Sequence, residues 1–155
     1  MDDLDDSSVI ENILAGDIDS FEIILERYQN QIFAYVFRML NFHREDAKDA
    51  SAETFCRAYL KLASFDKRQK FSSWLYRIAH NLVIDEYSRR SKYKTVDIEN
   101  LEIPAKIDEK IWDREILDKI LNKLSFEDRE ILILFYIEEK SIKEIVPTQP
   151  NLLPY

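Results

Sequence analysis

Turn-forming residues are almost missing from the first hundred residues of this chain. Its only glycine is Gly16, and its first proline is Pro104. Glycine and proline most often interrupt helices and build the tight turns that sheets require. A chain of 155 residues, 46% of them hydrophobic and nearly free of these two types, is expected to form long helices around a core. The predicted fold class is therefore all-α.

Hydrophobic periodicity predicts where the helices lie. One long amphipathic helix is predicted over about 18–40, ending near Asn41, and a second over Arg44–Leu62. A polar loop over 64–70 leads into a third long helix that begins at Phe71, and a short helix before Gly16 is expected to pack across the front. The predicted inner face of the third helix is formed by Phe71, Trp74, Leu75, Ile78 and Leu82.

The helical pattern breaks between residues 93 and 107, which reads as a linker. Two capping boxes follow it, Ser125-x-x-Asp128 and Ser141-x-x-Glu144, and each predicts the start of a helix. Prolines at 147, 150 and 154 prevent the last helix from continuing. The predicted organisation is an N-terminal helical bundle over 1–92, a linker over 93–107, and a short, truncated C-terminal helical segment over 108–155.

Charge is distributed unevenly along the chain. Residues 1–26 carry nine acidic side chains and no lysine or arginine, whereas residues 66–95 carry eight basic against three acidic ones. Residues 97–118 return to eight acidic against three basic side chains. A basic segment between acidic flanks is typical of a nucleic-acid contact in a protein whose net charge of −8 repels DNA elsewhere. A solvated basic helix face is the alternative interpretation.

Several protein classes are not favoured by the sequence. No apolar run is long enough to span a membrane, so no membrane insertion is expected, and the acidic start does not resemble a signal peptide. Cys56 is the single cysteine, which fits a reducing cytoplasm and a residue without a redox role. His43 and His80 lie on different predicted elements without a nucleophile partner. No catalytic residue, metal site or cofactor is predicted, and we do not expect an enzyme.

Two motifs in order resemble a known family. Asp46-Ala47-x-Asp49 followed by Glu53-Thr54-Phe55 is similar to D-A-x-D-x-x-Q-E-T-F, and the run from Trp74 to Asn81 is similar to W-L-Y-x-I-A-x-N. Both patterns belong to the core-binding and promoter-melting domain of bacterial RNA polymerase sigma factors, in particular the small two-domain extracytoplasmic-function group. The resemblance spans roughly residues 18–145.

This resemblance implies that the chain holds the unpaired minus-10 strand of promoter DNA. Asn81 is expected to hydrogen-bond a base, because an amide can read base edges. The loop before the third helix is expected to form the wall of a base pocket and to contact the backbone, and cations along the helix to follow the phosphates. The predicted DNA-binding residues are Phe65, Lys67, Arg68, Lys70, Tyr76, Arg77, Asn81, Arg89, Arg90 and Lys92. The spacing of Trp74 favours a core position over a stacking platform.

The resemblance also implies docking of the second helix on the β′ subunit of core RNA polymerase. Asp46, Asp49 and Glu53 share one helix face and are the predicted contacts. A solvated acidic face is the more common use of such residues, and only the family motif favours docking. Lys48 and Ala52 depart from the family pattern, which has an acid and a glutamine there. An anti-sigma factor is a further partner that the family implies.

The C-terminal segment departs from the family. After Ser141-Ile-Lys-Glu-Ile the family continues into the turn and the basic second helix of a helix-turn-helix, whereas Val146 here is followed by PTQPNLLPY. Since that second helix reads the major groove, weak or absent minus-35 binding is expected. Two hypotheses follow. The chain is a cytoplasmic sigma factor for transcription initiation, or a truncated interaction protein that binds polymerase or an anti-sigma factor and cannot initiate transcription.

Overall fold

The computed structural model describes residues 4–41, 43–91 and 114–137. The described residues form six α-helices and no strand: α1 Asp6–Leu14, α2 Phe21–Met39, α3 Arg44–Lys61, α4 Phe71–Ser91, α5 Arg114–Lys123 and α6 Phe126–Leu132. Two 3₁₀ turns, Ile18–Ser20 and Leu62–Ser64, precede α2 and follow α3, and a π-helical turn, Ile133–Ile137, follows α6. The all-α prediction is confirmed. The predicted linker, Lys92, the second capping box and the segment after Val146 lie outside the described residues.

Helices α1–α4 share one hydrophobic core. Helix α2 buries residues at helical spacing, among them Ile24, Ile32 and Val36, each fully buried. Helix α3 faces α2 and α4 mostly with small side chains, which let helix axes approach closely. Those buried positions of α3 are Ala47, Ser51, Thr54, Phe55 and Ala58. Tyr59 is 38% exposed and packs its ring edge-on against Phe21 at 5.1 Å.

The connection before α2 and the connection before α3 each contain a residue whose backbone φ angle is positive. Gly16 follows α1 with φ 107°, a conformation that side-chain-bearing residues rarely adopt. Asn41 follows α2 with φ 56°, and asparagine is among the few other residues that tolerate this region. The predicted stop at Asn41 is confirmed. The predicted short helix before Gly16 is α1, which is held to α2 by Asp6 bonding Arg27 at 2.8 Å and the hydroxyl of Tyr28.

Helix α4 is buried over more than half of its circumference. One side packs Phe71, Leu75 and Ile78 into the core, as predicted, while the predicted Trp74 and Leu82 are half-buried against it. The second side buries Tyr76, His80 and Val83. The prediction that Tyr76 reaches DNA was therefore wrong: its ring is 2% exposed and packs edge-on against Tyr35 at 5.4 Å. The buried arc of the helix is continuous through Ala79, and sequence spacing identified only one part of it.

The start of α6 confirms the first predicted capping box. The Ser125 hydroxyl accepts a hydrogen bond from the backbone N–H of Asp128 at 3.1 Å, which satisfies one of the free donors at the helix start. Helix α6 then packs on α2 and α4, and buries Arg129 and Glu130 beneath it. The C-terminal helices therefore add a layer to the N-terminal bundle.

Two leucines offer a matched test of this core. Replacing Leu75, which is fully buried, by alanine is expected to lower the free energy of unfolding by about 2–5 kcal/mol, because a cavity replaces packed methyl groups. The same change at Leu60, which is 79% exposed on α3, is expected to alter it by less than about 0.5 kcal/mol. Urea denaturation followed by far-ultraviolet circular dichroism measures both. Equal losses would contradict the described packing of α4.

Candidate nucleic-acid interface

One narrow side of α4 remains open to solvent. Five exposed or half-exposed residues follow one another at helical spacing along this side and form a single stripe: Arg77, Asn81, Ile84, Asp85 and Ser88. We call this the α4 stripe. Asn81 lies at its centre with an exposed side chain, so its amide is accessible to a ligand. The neighbouring residues His80 and Leu82 are turned inward, which makes Asn81 the accessible amide of this helix turn.

The loop that precedes α4 folds over an aromatic cluster. The Phe65 ring is 9% exposed and lies 5.5 Å from the ring of Phe71 and 5.1 Å from that of Trp74, measured between centroids. Phe65 and Phe71 form part of the wall of a surface cavity of about 330 Å³. Arg68, Gln69 and Lys70 line the same cavity, together with Asp5, Asp6 and Ser7 from the start of α1. Phe65 is thus a wall residue that is largely covered.

The loop cations are held by carboxylates of the chain itself. Lys67 bonds Glu11 of α1 at 2.8 Å, and the Arg68 guanidinium contacts both carboxylate oxygens of Asp66 at 2.8–3.1 Å. The hydrogen bonds from Arg68 lower the pKa of Asp66 to about 2. All four side chains are substantially exposed. Ion pairs of this kind contribute little to stability in water, so a phosphate can replace either carboxylate.

The cations at the end of α4 are divided between two environments. Arg89 is exposed and bonds Glu86 at 2.5 Å. Arg90 is partly buried, bonds Glu86 at 3.0 Å and forms an ion pair with Asp46 at the start of α3. The predicted phosphate contact Arg90 and the predicted polymerase contact Asp46 are therefore bound to each other. Sequence reasoning missed this pair, because no spacing rule relates positions on different helices.

The acidic face of α3 lies beside an apolar groove. Asp49 and Glu53 are exposed, and Glu53 bonds Arg57 one turn later at 2.7 Å. The groove between α2 and α3 has a volume of about 620 Å³. Its lining is largely aromatic and aliphatic and includes Phe21, Leu25 and Phe33 of α2 and Ala52, Phe55 and Tyr59 of α3.

A buried polar cluster was also missed. Glu130 is fully buried and receives hydrogen bonds from the Tyr35 hydroxyl and from Nδ1 of His80, at 2.5 and 2.6 Å. Burial and the Glu130 carboxylate both raise the pKa of Tyr35 far above its usual value, so the hydroxyl stays protonated and donates. The sequence carries no local signal for the cluster, because Arg129 and Glu130 follow Glu127 and Asp128 in a run of four charged residues, which is typical of an exposed helix turn.

Two further kinds of feature are absent from the part of the chain that the structure describes. That part contains no group of histidine, cysteine and carboxylate side chains arranged to hold a metal ion. Its helices include none that is long and apolar enough to cross a membrane.

Comparisons with known proteins agree with this geometry. The family model for sigma-70 region 2 matches residues 24–93, which run from α2 to beyond α4. The extracytoplasmic-function sigma factor SigW of Bacillus subtilis is 35% identical, over 88% of this chain and 80% of that protein. The sigma factor YlaC of the same organism is 34% identical, over 82% of this chain and 78% of that protein.

A solved structure shares the fold. The structure of CnrH in complex with the cytosolic domain of CnrY superposes with a TM-score of 0.67 at 21% identity, over 92% of this chain and 80% of that one. The sequence relatives are sigma factors, which are not enzymes; they bind core RNA polymerase and promoter DNA and act in transcription initiation. The chain belongs to the extracytoplasmic-function group of RNA polymerase sigma factors.

Proposed function

We propose that this sigma factor captures the unpaired minus-10 strand on the α4 stripe and in the cavity beside the 65–70 loop. The observation that carries the proposal is the exposed Asn81 on a stripe whose helix begins at that cavity, with Arg68 and Lys70 in its wall. The residues proposed to contact DNA are Lys67, Arg68, Lys70, Arg77, Asn81 and Arg89. Phe65 supports the pocket wall from below, and Arg90 acts at the edge of the site.

The energetics of strand capture favour such a combination of groups. Opening a duplex loses on the order of 1.4 kcal/mol of stacking per base-pair step. A protein that hydrolyses no nucleotide must recover this from contacts to the displaced strand. An amide that reads one base and cations that meet several phosphates recover energy of this order. On binding, Lys67 and Arg68 each exchange a carboxylate partner for a phosphate, so each cation keeps a negatively charged partner.

We also propose that α3 and the apolar groove bind the β′ subunit of core polymerase. Asp49 and Glu53 supply exposed negative charge, and the groove beside them supplies apolar surface for a helix with basic and apolar residues. Such a combination resembles a helix-in-groove interface, where apolar anchors are flanked by charges. An anti-sigma factor that covers the same groove is a second proposed partner. The proposed location is the cytoplasm, where core polymerase works. We also propose that residues 1–92 carry both the strand contact and the polymerase contact.

Loss of the Asn81 amide tests strand capture. Asn81→Ala is expected to weaken binding of a minus-10 strand by about 1–3 kcal/mol, as for the loss of a base-reading contact, and to reduce run-off transcription with core polymerase. Asn12→Ala, the same change at an exposed position of α1, is the control and is expected to leave both unchanged.

The outcome that contradicts this assignment is an Asn81→Ala protein with a normal circular dichroism spectrum and unchanged strand affinity. Wild-type protein that binds polymerase but produces no promoter-specific transcript would favour the interaction-protein hypothesis instead.

Charge reversal tests the polymerase contact. Asp49→Lys is expected to slow association with core polymerase by roughly tenfold at low salt, because the complementary charge that steers the encounter is lost. Asp128→Lys makes the same reversal at an exposed position of α6, which contributes no residue to the groove, and is expected to have little effect. Stopped-flow or surface-based kinetics measures both. Equal rates for the two variants would argue against a docking role for the acidic face of α3.

Arg68 links strand binding to a titration. In Arg68→Ala the pKa of Asp66 is expected to rise from about 2 towards its ordinary value of 3.8, because the side-chain hydrogen bonds that favour the carboxylate are gone and only the backbone N–H of residue 68 still donates to it. In the wild-type protein the stabilisation from ionised Asp66 is present above pH 4 and is lost as the pH falls through about 2. The variant lacks this stabilisation above pH 4, so the difference in stability between the two proteins disappears across that window. The slope of log strand affinity against log salt concentration should also decrease by about the contribution of one phosphate contact.

Carboxyl-detected nuclear magnetic resonance measures the Asp66 titration. In Lys67→Ala the carboxyl is expected to keep its low pKa, because the ammonium of Lys67 bonds Glu11 and not Asp66. An unchanged Asp66 titration in Arg68→Ala would show that the loop pair does not form in solution.

A further inference from the structure

The apolar groove between α2 and α3 differs from one end to the other. Phe21 and Tyr59, whose ring centroids lie 5.1 Å apart, mark one end. At the other end the guanidinium of Arg44 lies over the Phe33 ring, 6.0 Å from its centroid. Lys48 lines the groove one turn after Arg44, so it belongs to the Phe33 end. One end of the groove is therefore aromatic, and the other carries positive charge.

Lys48 supplies the charge inside the groove. Of the described residues that line the groove it alone is charged, whereas the neighbouring acids of α3, Glu45, Asp49 and Glu53, do not line it. The Lys48 ammonium bonds Glu45 at 3.1 Å, and the two side chains are 52% and 81% exposed. An ion pair this exposed contributes little in water, so another carboxylate can replace Glu45. A helix lying in the groove thus meets a cation, although the outer face of α3 is acidic.

A hydroxyl without a partner follows one turn further along α3. Ser51 lines the same groove and is 8% exposed, and its hydroxyl has no hydrogen-bond partner among the described residues. A buried polar group in this state is unfavourable until a ligand supplies the missing bond. Lys48 and Ser51 are three residues apart and share a helix face. An ammonium can only donate and a hydroxyl can donate, so the pair suits a carboxylate, which only accepts.

We propose that Lys48 and Ser51 select a partner helix that presents a carboxylate to the Phe33 end of the groove, and that this helix belongs to the β′ subunit. The inference rests on the proposed polymerase contact and deepens it. The same helix carries basic residues opposite the acidic outer face of α3, apolar anchors in the groove and one acidic residue at Lys48. Lys48 departs from the family pattern, and here it acts as a specificity determinant, because it attracts a helix with such an acid and repels one with a base there.

Two synthetic helical peptides test the charge preference directly. They share one amphipathic sequence rich in leucine and differ at a single position, a glutamate or a lysine one turn before the leucines. The full-length protein is expected to bind the glutamate peptide up to about fivefold more tightly, as for a partly exposed ion pair. Lys48→Glu is expected to reverse this preference. Lys61→Glu, the same change at an exposed lysine of α3 that does not line the groove, is expected to retain it.

Fluorescence anisotropy of the labelled peptides measures these affinities. Equal binding of the two peptides, failure of both to bind, or a preference that Lys48→Glu leaves unchanged would each overturn the proposal. Ser51→Ala isolates the hydroxyl. It is expected to reduce the preference for the glutamate peptide without lowering the melting temperature, because it removes a buried group that has no partner in the free protein. A lower melting temperature with an unchanged preference would show that Ser51 is structural.

Core polymerase supplies the second readout and separates this inference from the proposed function. Lys48→Glu is expected to weaken polymerase binding by up to about fivefold, and Lys61→Glu to leave it unchanged. If Asp49→Lys slows association while Lys48→Glu binds as tightly as wild type or more tightly, the docking proposal stands and the carboxylate contact is overturned. If the peptides are discriminated as expected while neither Asp49→Lys nor Lys48→Glu affects polymerase, the proposed polymerase contact fails and polymerase is overturned as the occupant of the groove.

Discussion

Packing on two sides of α4 is the constraint that organises the rest of this molecule. One side joins the core of α1–α3 through Phe71, Leu75 and Ile78, and the other receives α6 through His80 and Tyr87. A helix buried in this way cannot rotate or bend freely, so its remaining stripe is held in a fixed position. The amide of Asn81 owes its accessibility to that arrangement and not to any property of its own turn. Preorganisation of this kind lowers the entropy lost when a flexible strand binds.

Four cations of the candidate interface form ion pairs with acidic side chains of the same chain. Glu11, Asp66, Glu86 and Asp46 pair with Lys67, Arg68, Arg89 and Arg90. The acidic start of the chain thus has a structural use, because Asp6 fixes α1 to α2 and Glu11 reaches the loop. Exchangeable pairs lower the attraction for arbitrary polyanions, since each phosphate contact must displace a carboxylate. Selectivity for a particular strand then depends more on the amide and on the shape of the cavity.

Local patterns in the sequence were sufficient for the helices and their ends. Periodicity located α2 and α3 to within a few residues, Asn41 marked a helix stop, and Ser125 marked a helix start. The same reasoning failed for Tyr76, because α4 is buried over one wide arc, and the part that carries Phe71, Leu75 and Ile78 was taken as the whole core. It missed the bonds of Glu130 to Tyr35 and His80, since contacts across fifty and ninety-five residues leave no local pattern. Exposure of Asn81 could be anticipated, whereas the self-pairing of the cations could not.

The ion pair between Arg90 and Asp46 bears on how two ligands communicate. It spans the ends of α4 and α3, so one side chain borders the nucleic-acid face and the other borders the protein-binding face. A basic protein that attracted Asp46 would free one side of the Arg90 guanidinium for phosphate, while Glu86 keeps its bond to Arg90, and a phosphate that attracted Arg90 would release the Asp46 carboxylate for the protein. Thermodynamic reciprocity requires the two effects to be equal in free energy. Cooperativity between enzyme and template would then reside in a single shared bond, without any change in backbone shape.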